Sequence, residues 1–261
     1  MVAQQQILLA YGYSAAVLQF LARTSGLDGT HTSAYQALID GLVADGVWAK
    51  LDMLHIYATQ NSTTANLNLI GNIYNATPIN SPPFTVDRGY TSSEASAQYI
   101  DTGFNPTTAV SPKLTQNSAH ISEWLLSDIN TTRSLVIGHN NASTYLGIHA
   151  RFSNSTYMYL NSGTSVVNVA SANSLGHFLG NRNAVSSVQG YKNGSQIITD
   201  TIASNGLVNS SIIALGQNQN GTLFGSNYQG AMASIGSSLS STDATNFYNR
   251  LRTYMTAVGV P

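Results

Sequence analysis

"GYKNGSQI", Gly190 to Ile197, holds Asn193-Gly194 between two strand-like runs. A two-residue type I′ hairpin turn needs positive φ at both central residues, which Asn and Gly tolerate best. The stretch therefore predicts Val188–Tyr191 and Gln196–Ile198 as adjacent antiparallel strands. Outward from it, "SAHISEWLLS", "RSLVIGH", "TYLGIHARF", "TYMYLNS", "SQIITDTIA" and "SSIIALGQ" read the same way, as short, partly alternating apolar runs parted by Asn, Gly and Ser. About eleven such runs follow Phe84 with no long helix among them, which predicts an antiparallel sandwich rather than an α/β sheet.

Both ends of the chain carry helix instead. In "SIGSSLSSTDATNFYNRLRTYMTAVGVP", Ser240 can cap a helix with Asp243 near its first amides, and Ala244, Phe247, Tyr248, Leu251, Met255 and Val258 recur at helical spacing. Arg250 and Arg252 lie toward the carbonyl-rich end, and Gly259 is a stop. A one-sided apolar stripe needs a surface, and the sandwich supplies one. Near the other end, Thr32 or Ser33 is the expected cap of a helix with Tyr35, Leu38, Ile39 and Leu42 on one face, broken at Asp45-Gly46. A short turn through Trp48 and a strand over Met53–Ala58 should follow. Pro78, Pro82 and Pro83 mark a seam, read as a crossing between layers. The chain thus divides into a mixed region, 1–83, packed on a main domain, 84–261.

Composition narrows the function. Ten Lys and Arg against eleven Asp and Glu leave a net charge of -1, which removes the electrostatic case for a nucleic-acid partner. Charged residues are 8% of the chain, so the surface must bond through amides and hydroxyls. The absence of Cys excludes disulfides and thiolate chemistry. No apolar run is long enough for a membrane span, and the first residues have neither the basic start nor the unbroken apolar block of a secretory leader.

Catalytic patterns are scarce. The six His residues form no H-E-x-x-H or other metal spacing, and no metal or cofactor is expected. In "HISE", His120 and Glu123 fall on opposite faces of a strand. Glu94 and Glu123 are the only glutamates, and neither lies in the E-x-D-x-x-E-like strand of a retaining glycosidase. Asp101 with Glu123 is the one pair left to meet in space. Binding chemistry is better supplied, with 14 Tyr, 2 Trp and abundant Asn. The polar loop Gly216–Gly230 offers Gln217, Asn218, Asn220, Asn227 and Tyr228, the last as an aromatic platform, and "GHNNAST" adds His139 and Asn140.

The order of "YIDTGFNPTT", "LTQNSAHISEWLLS", "LGIHARF", "GYKNGSQI", "SIIALGQNQNG" and the closing helix resembles the concanavalin A-like lectin/laminin-G jelly-roll superfamily. Within it, the chain is most similar to uncharacterised phage and prophage proteins, over roughly Phe84 to Val260. The resemblance implies a mainly β, antiparallel jelly-roll sandwich with N-terminal helical elements and a C-terminal amphipathic helix. It also implies a non-enzymatic virion or surface protein that binds glycans, found in the host cytoplasm before assembly and outside the cell as part of a particle. Partners would be like subunits in a homo-oligomer, other virion proteins and cell-surface glycan. Two alternatives stay open: a polysaccharide-active hydrolase or lyase whose acids converge only in the fold, and an assembly scaffold that binds no sugar.

Overall fold

A computed structural model describes residues 12–131, 135–141, 143–163, 166 and 168–261. The Asn193-Gly194 turn has φ of 50° and 76°. It joins β12 (Ser187–Lys192) to β13 (Ser195–Asp200), with Tyr191 opposite Gln196 and Gly190 opposite Ile198. From that hairpin the first sheet continues through β11 (Gly176–Ala184), β6 (Ala119–Leu125) and β17 (Gln229–Gly236). The far side of β17 is shared by β1 (Leu51–Ile56) and β4 (Gly89–Thr91), and β3 (Phe84–Thr85) pairs with β4.

The second sheet runs β10 (Asn168–Ala170), β9 (Ser155–Ser162), β8 (Tyr145–Phe152), β7 (Ile137–Asn140), β14 (Ile213–Ala214), β5 (Tyr99–Asp101), β2 (Thr77–Ile79). A hairpin of β15 (Gly216–Gln219) and β16 (Thr222–Gly225) attaches to it, β15 running parallel to β7. Of the seam prolines, Pro82 and Pro83 lie between β2 in one sheet and β3 in the other, whereas Pro78 sits within β2, opposite Ile100, on an outermost strand of its sheet. Apolar residues alternate inward from both sheets. Ile121, Leu125, Phe178, Val188 and Ile235 meet Ile100, Ile137, Leu146, Met158 and Leu160 in one buried cluster. Gly180 makes this approach possible, since a Cβ there would stand 2.7 Å from a Leu160 methyl. Arg182, wholly buried, ties the sheets together at one end by donating to the carbonyls of Leu160, Ala184, Val185 and Ile202.

The first sheet is apolar on both faces. Every residue of β6 is buried: Ala119, Ile121 and Leu125 face the other sheet, while Trp124 faces outward. That outer face is covered by α1 (Ala15–Leu21), α2 (Gly29–Ala44) and α4 (Ser241–Ala257), through Phe20, Tyr35, Leu38, Leu42, Phe247, Leu251 and Met255 packed on Leu54, Ile56, Leu179 and Met232. A short helix, α3 (Ser62–Ala65), follows β1. Each large apolar side chain so buried stabilises the layer by about 2 kcal/mol. The stripe of α4 therefore outweighs its cap, worth about 1 kcal/mol, although Ser240 and Asp243 do form the reciprocal capping box.

Two expectations change in detail. The cap of α2 is Asp28, not Thr32 or Ser33, because its carboxylate accepts the His31 N–H and helix begins at Gly29. Neither late arginine binds the last helix carbonyls: Arg252 donates to the carbonyls of Val260 and Pro261, beyond the end of α4, and Arg250 reaches across to Asp45 at the end of α2.

Candidate functional site

Gln217–Asn220, expected as open loop, is instead β15 and the turn of its hairpin, and the fold sets it beside the second expected segment. Asn218 pairs with His139 and Gln219 with Asn140 in the parallel β15–β7 ladder. The chain reaches this register by reversing direction at Leu215, a branched residue held at φ 53°. Its N–H donates to Glu123 Oε1 at 3.2 Å. Glu123 is wholly buried between the sheets, its Oε2 has no partner, and burial raises its carboxyl well above the usual range, favouring the neutral acid.

Alternation divides the segment. Asn218 and His139 share one side and both bond Ser210, the Asn218 amide donating to the serine oxygen and His139 Nδ1 sharing a hydrogen bond with it; burial lowers the His139 pKa. Gln217 and Gln219 share the other, joined amide to amide, with Gln217 Oε1 accepting the Leu135 N–H. Asn220, with φ of 51°, is exposed at the hairpin turn. Two of the expected residues do not join the group. Asn227 lies by the β4–β5 connection, where its Oδ1 accepts the Glu94 N–H. Tyr228 is wholly buried between the sheets, its hydroxyl donating to the Ile129 carbonyl at 2.6 Å, so its ring offers no platform.

Other aromatic residues gather on the second sheet. Across β7 and β8, Asn140 stands opposite Tyr145. Inward-facing Leu146, Ile148, Met158 and Leu160 leave Tyr145, His149, Tyr157 and Tyr159 on the outer face of the second sheet, with Phe152 at the end of β8. All five are half-buried. The Tyr145 and Tyr159 rings are 5.2 Å apart, and Tyr157 and Tyr159 stand parallel within 9° at 6.5 Å. Phe152 meets Tyr157 edge-on at 5.7 Å, and His149 lies 4.9–6.1 Å from Phe152, Tyr157 and Tyr159. Burial, with Tyr157 and Tyr145 adding, pushes the Tyr159 hydroxyl up to about 12, so it remains a neutral hydrogen-bonding group. No motif encodes this strip. Its signal is the tyrosine spacing in "TYMYL", where the residue between the rings is a core methionine.

Among the described residues, three grooves lie elsewhere. One of ≈ 390 Å³ beside α4 is lined by Trp124, Leu175, Asn193, Tyr248 and Arg252, among others. Two of its polar groups are engaged: Arg252 donates to the Val260 and Pro261 carbonyls, and Asn193 Oδ1 accepts the His177 N–H. The other two contain the carboxylates of Asp45, bound by Arg250, and of Glu94. No groove of the three brings two carboxylates together. Asp101 and Glu123 are also separated: Ile100 faces the core, so Asp101 points away from it, receiving the Ser211 hydroxyl and the Gly103 N–H, while Glu123 lies inside. Among the described residues, no group of three His, Cys, Asp or Glu is placed to hold a metal ion, and no helix is long and apolar enough to cross a membrane.

No protein-family model and no curated protein sequence matches the chain. Solved structures do match it in fold. A mutant Trypanosoma rangeli sialidase displaying trans-sialidase activity aligns with 85% of this chain and 39% of its own, at 9% identity and a TM-score of 0.57. A botulinum neurotoxin type C chain, from a structure concerned with cell entry dependent on two ganglioside molecules, aligns with 77% of this chain and 52% of its own, at 16% identity and 0.54. The binding domain of botulinum neurotoxin serotype D aligns over 80% and 52%, at 11% identity and 0.52. The chain spans between about two-fifths and half of these proteins, and what it shares with them is the β-sandwich.

Proposed function

We propose that the protein is a carbohydrate-recognition module that binds without catalysis, through the outer face of its second sheet. The observation that carries this reading is the half-buried row of Tyr145, Tyr159, Tyr157 and Phe152 lying next to Asn140 and Gln219. Aromatic faces can pack on the C–H surface of a sugar while flanking amides read its hydroxyls, a mixture suited to a ligand that is apolar on one side and polar on the other. Relatedness of fold to a sialidase and to toxin binding domains is consistent with it. The site residues are accordingly Asn140, Tyr145, Tyr157, Tyr159 and Gln219, with Asn220 at the margin, buried Gln217 bonded to Gln219 on the same side, and His139 and Asn218 on the opposite side of the strands. Binding should be weak for each site and strengthened when many copies engage together. That the copies are carried on a phage-type particle or surface is supported by the sequence resemblance alone.

A glycan array with the native protein, repeated with Tyr159→Ala after a thermal melt shows the variant folded, tests the reading. A reproducible signal lost in the variant is expected; an unchanged signal rejects the face. The fold relationship to a sialidase keeps a second reading open, a polysaccharide-active enzyme. Its test is incubation of each bound glycan with the protein, where new chain ends would replace recognition by turnover.

A further inference from the structure

We infer that Glu123 is a positioning residue of the proposed sugar-binding face: from between the sheets its carboxyl fixes the turn at Leu215, and with it the register in which β15 sets Gln219 beside Asn140. The inference rests on the carbohydrate-recognition reading above and names what holds that site in place.

Cost is the first argument. Glu123 takes an inward position of β6 between Ile121 and Leu125, where an apolar side chain would be favoured, and it is wholly buried with Oε2 unpartnered. A carboxyl so placed loses hydration that its bond to Leu215 does not fully return. Its presence is explained by what Oε1 does.

Geometry is the second. β14 runs antiparallel to β7 through Ile213 and Ala214, and β15 runs parallel to it from Asn218, so the chain must turn about between them. The turn centres on Leu215, wholly buried at φ 53°, a conformation costly for a bulky side chain. Its N–H meets Glu123 Oε1 at 3.2 Å and its carbonyl accepts the Ser226 N–H at 3.1 Å, so both backbone polar groups of the strained residue are bonded. The next N–H, of Gly216, donates to the Val136 carbonyl and starts β15 on its course along β7. In this set the bonds of Ser226 and Gly216 are backbone to backbone, and the carboxyl of Glu123 supplies the remaining one from the opposite sheet. Gly230 on β17 leaves room for it, since a Cβ there would stand 2.6 Å from a Leu215 methyl and 3.0 Å from Glu123 Oε1.

The test is amide hydrogen exchange followed by NMR on Glu123→Gln, which keeps an Oε1 acceptor, and Glu123→Leu, which removes it, with the glycan-array signal recorded for each. In Glu123→Leu the Leu215, Gly216 and Asn220 amides should exchange about tenfold faster than in the parent, while those of the β12–β13 hairpin hold and the array signal falls. Glu123→Gln should restore both readouts. Gly194→Ala, which strains the β12–β13 turn, controls for general destabilisation and should leave the array signal in place. If Glu123→Leu does not fold, Gly230→Ala presses on the same contact from β17 and should speed the same amides. Unchanged exchange at these amides, faster exchange with the array signal intact, or a glutamine variant as loose as the leucine one would overturn the inference and leave recognition standing. A folded parent that binds no glycan on the array would overturn both.

Discussion

His177 is buried between the first sheet and α4, stacked on Trp124 at 5.9 Å and edge-on to Phe247 at 5.7 Å, with Nε2 unpartnered. Burial, helped by His120 nearby, pushes its pKa down to about 3. In the unfolded chain the same group titrates at about 6.5. Above that value neither state holds the proton and stability is unaffected. As the pH falls below it the unfolded chain takes up a proton that the folded one refuses, so stability falls until the folded pKa is reached. At 1.36 kcal/mol per unit, descent to about pH 5 costs about 2 kcal/mol for this one residue. His55 and His120, each lowered to about 4 chiefly by burial, follow the same course. Together the three remove about 6 kcal/mol by about pH 5, as much as the whole stability of many domains. The assay is urea unfolding followed by tryptophan fluorescence at about pH 7, 6 and 5, for the parent and for His177→Phe, which keeps the stacked ring and deletes the titration. The variant should lose about 2 kcal/mol less than the parent over this range. Parallel pH dependences in the two proteins would refute the neutral, buried imidazole and the helix packing inferred from it.

Glu123→Gln keeps the acceptor for Leu215 N–H and removes the ionisation. Because the folded carboxyl has its pKa raised by burial, parent stability should decline as pH rises above about 4.5, and the decline should flatten in the variant by chemical denaturation. Arg182→Met removes a donor from the Leu160, Ala184, Val185 and Ile202 carbonyls, of which Val185 keeps the Ser204 N–H, and should lower stability by about 3 kcal/mol in the same assay; a loss within error would deny its linking role. Gly194→Ala places a Cβ 2.9 Å from Tyr248 at φ 76°, and should cost at least about 1 kcal/mol, seen as a lower melting temperature. Asn140→Ala should weaken glycan binding while leaving the melting temperature near that of the parent, since its backbone carbonyl, not its side chain, holds the Asn220 N–H.

Much of the fold was legible because it is written in local chemistry. Asn193-Gly194, the Ser240–Asp243 cap and the stripe from Ala244 to Val258 each specify a turn or helix from a few adjacent residues. The role of Glu123 was not legible: a lone acid in an apolar strand becomes meaningful only when Leu215, distant in sequence, brings its amide to it. The site was read in part for the same reason. Sequence picked out His139–Asn140 and Gln217–Asn220 as polar segments, but their union depends on the reversal at Leu215 and the parallel register that follows. Tyr228 misled because an aromatic in a polar stretch gives no sign of which way it points; between β16 and β17 it points inward.

The helical layer makes the sandwich unequal. One broad side is sealed by α1, α2 and α4, and the aromatic row lies on the opposite side. Such a body has a back and a front. Mounted by its helices on a larger object, it would turn its aromatic row to the surroundings with no hinge or rearrangement, and an array of copies so mounted would face outward together. Mounted the other way, it would be blind. The direction of attachment is therefore as much a determinant of what this protein can meet as the rings that do the meeting.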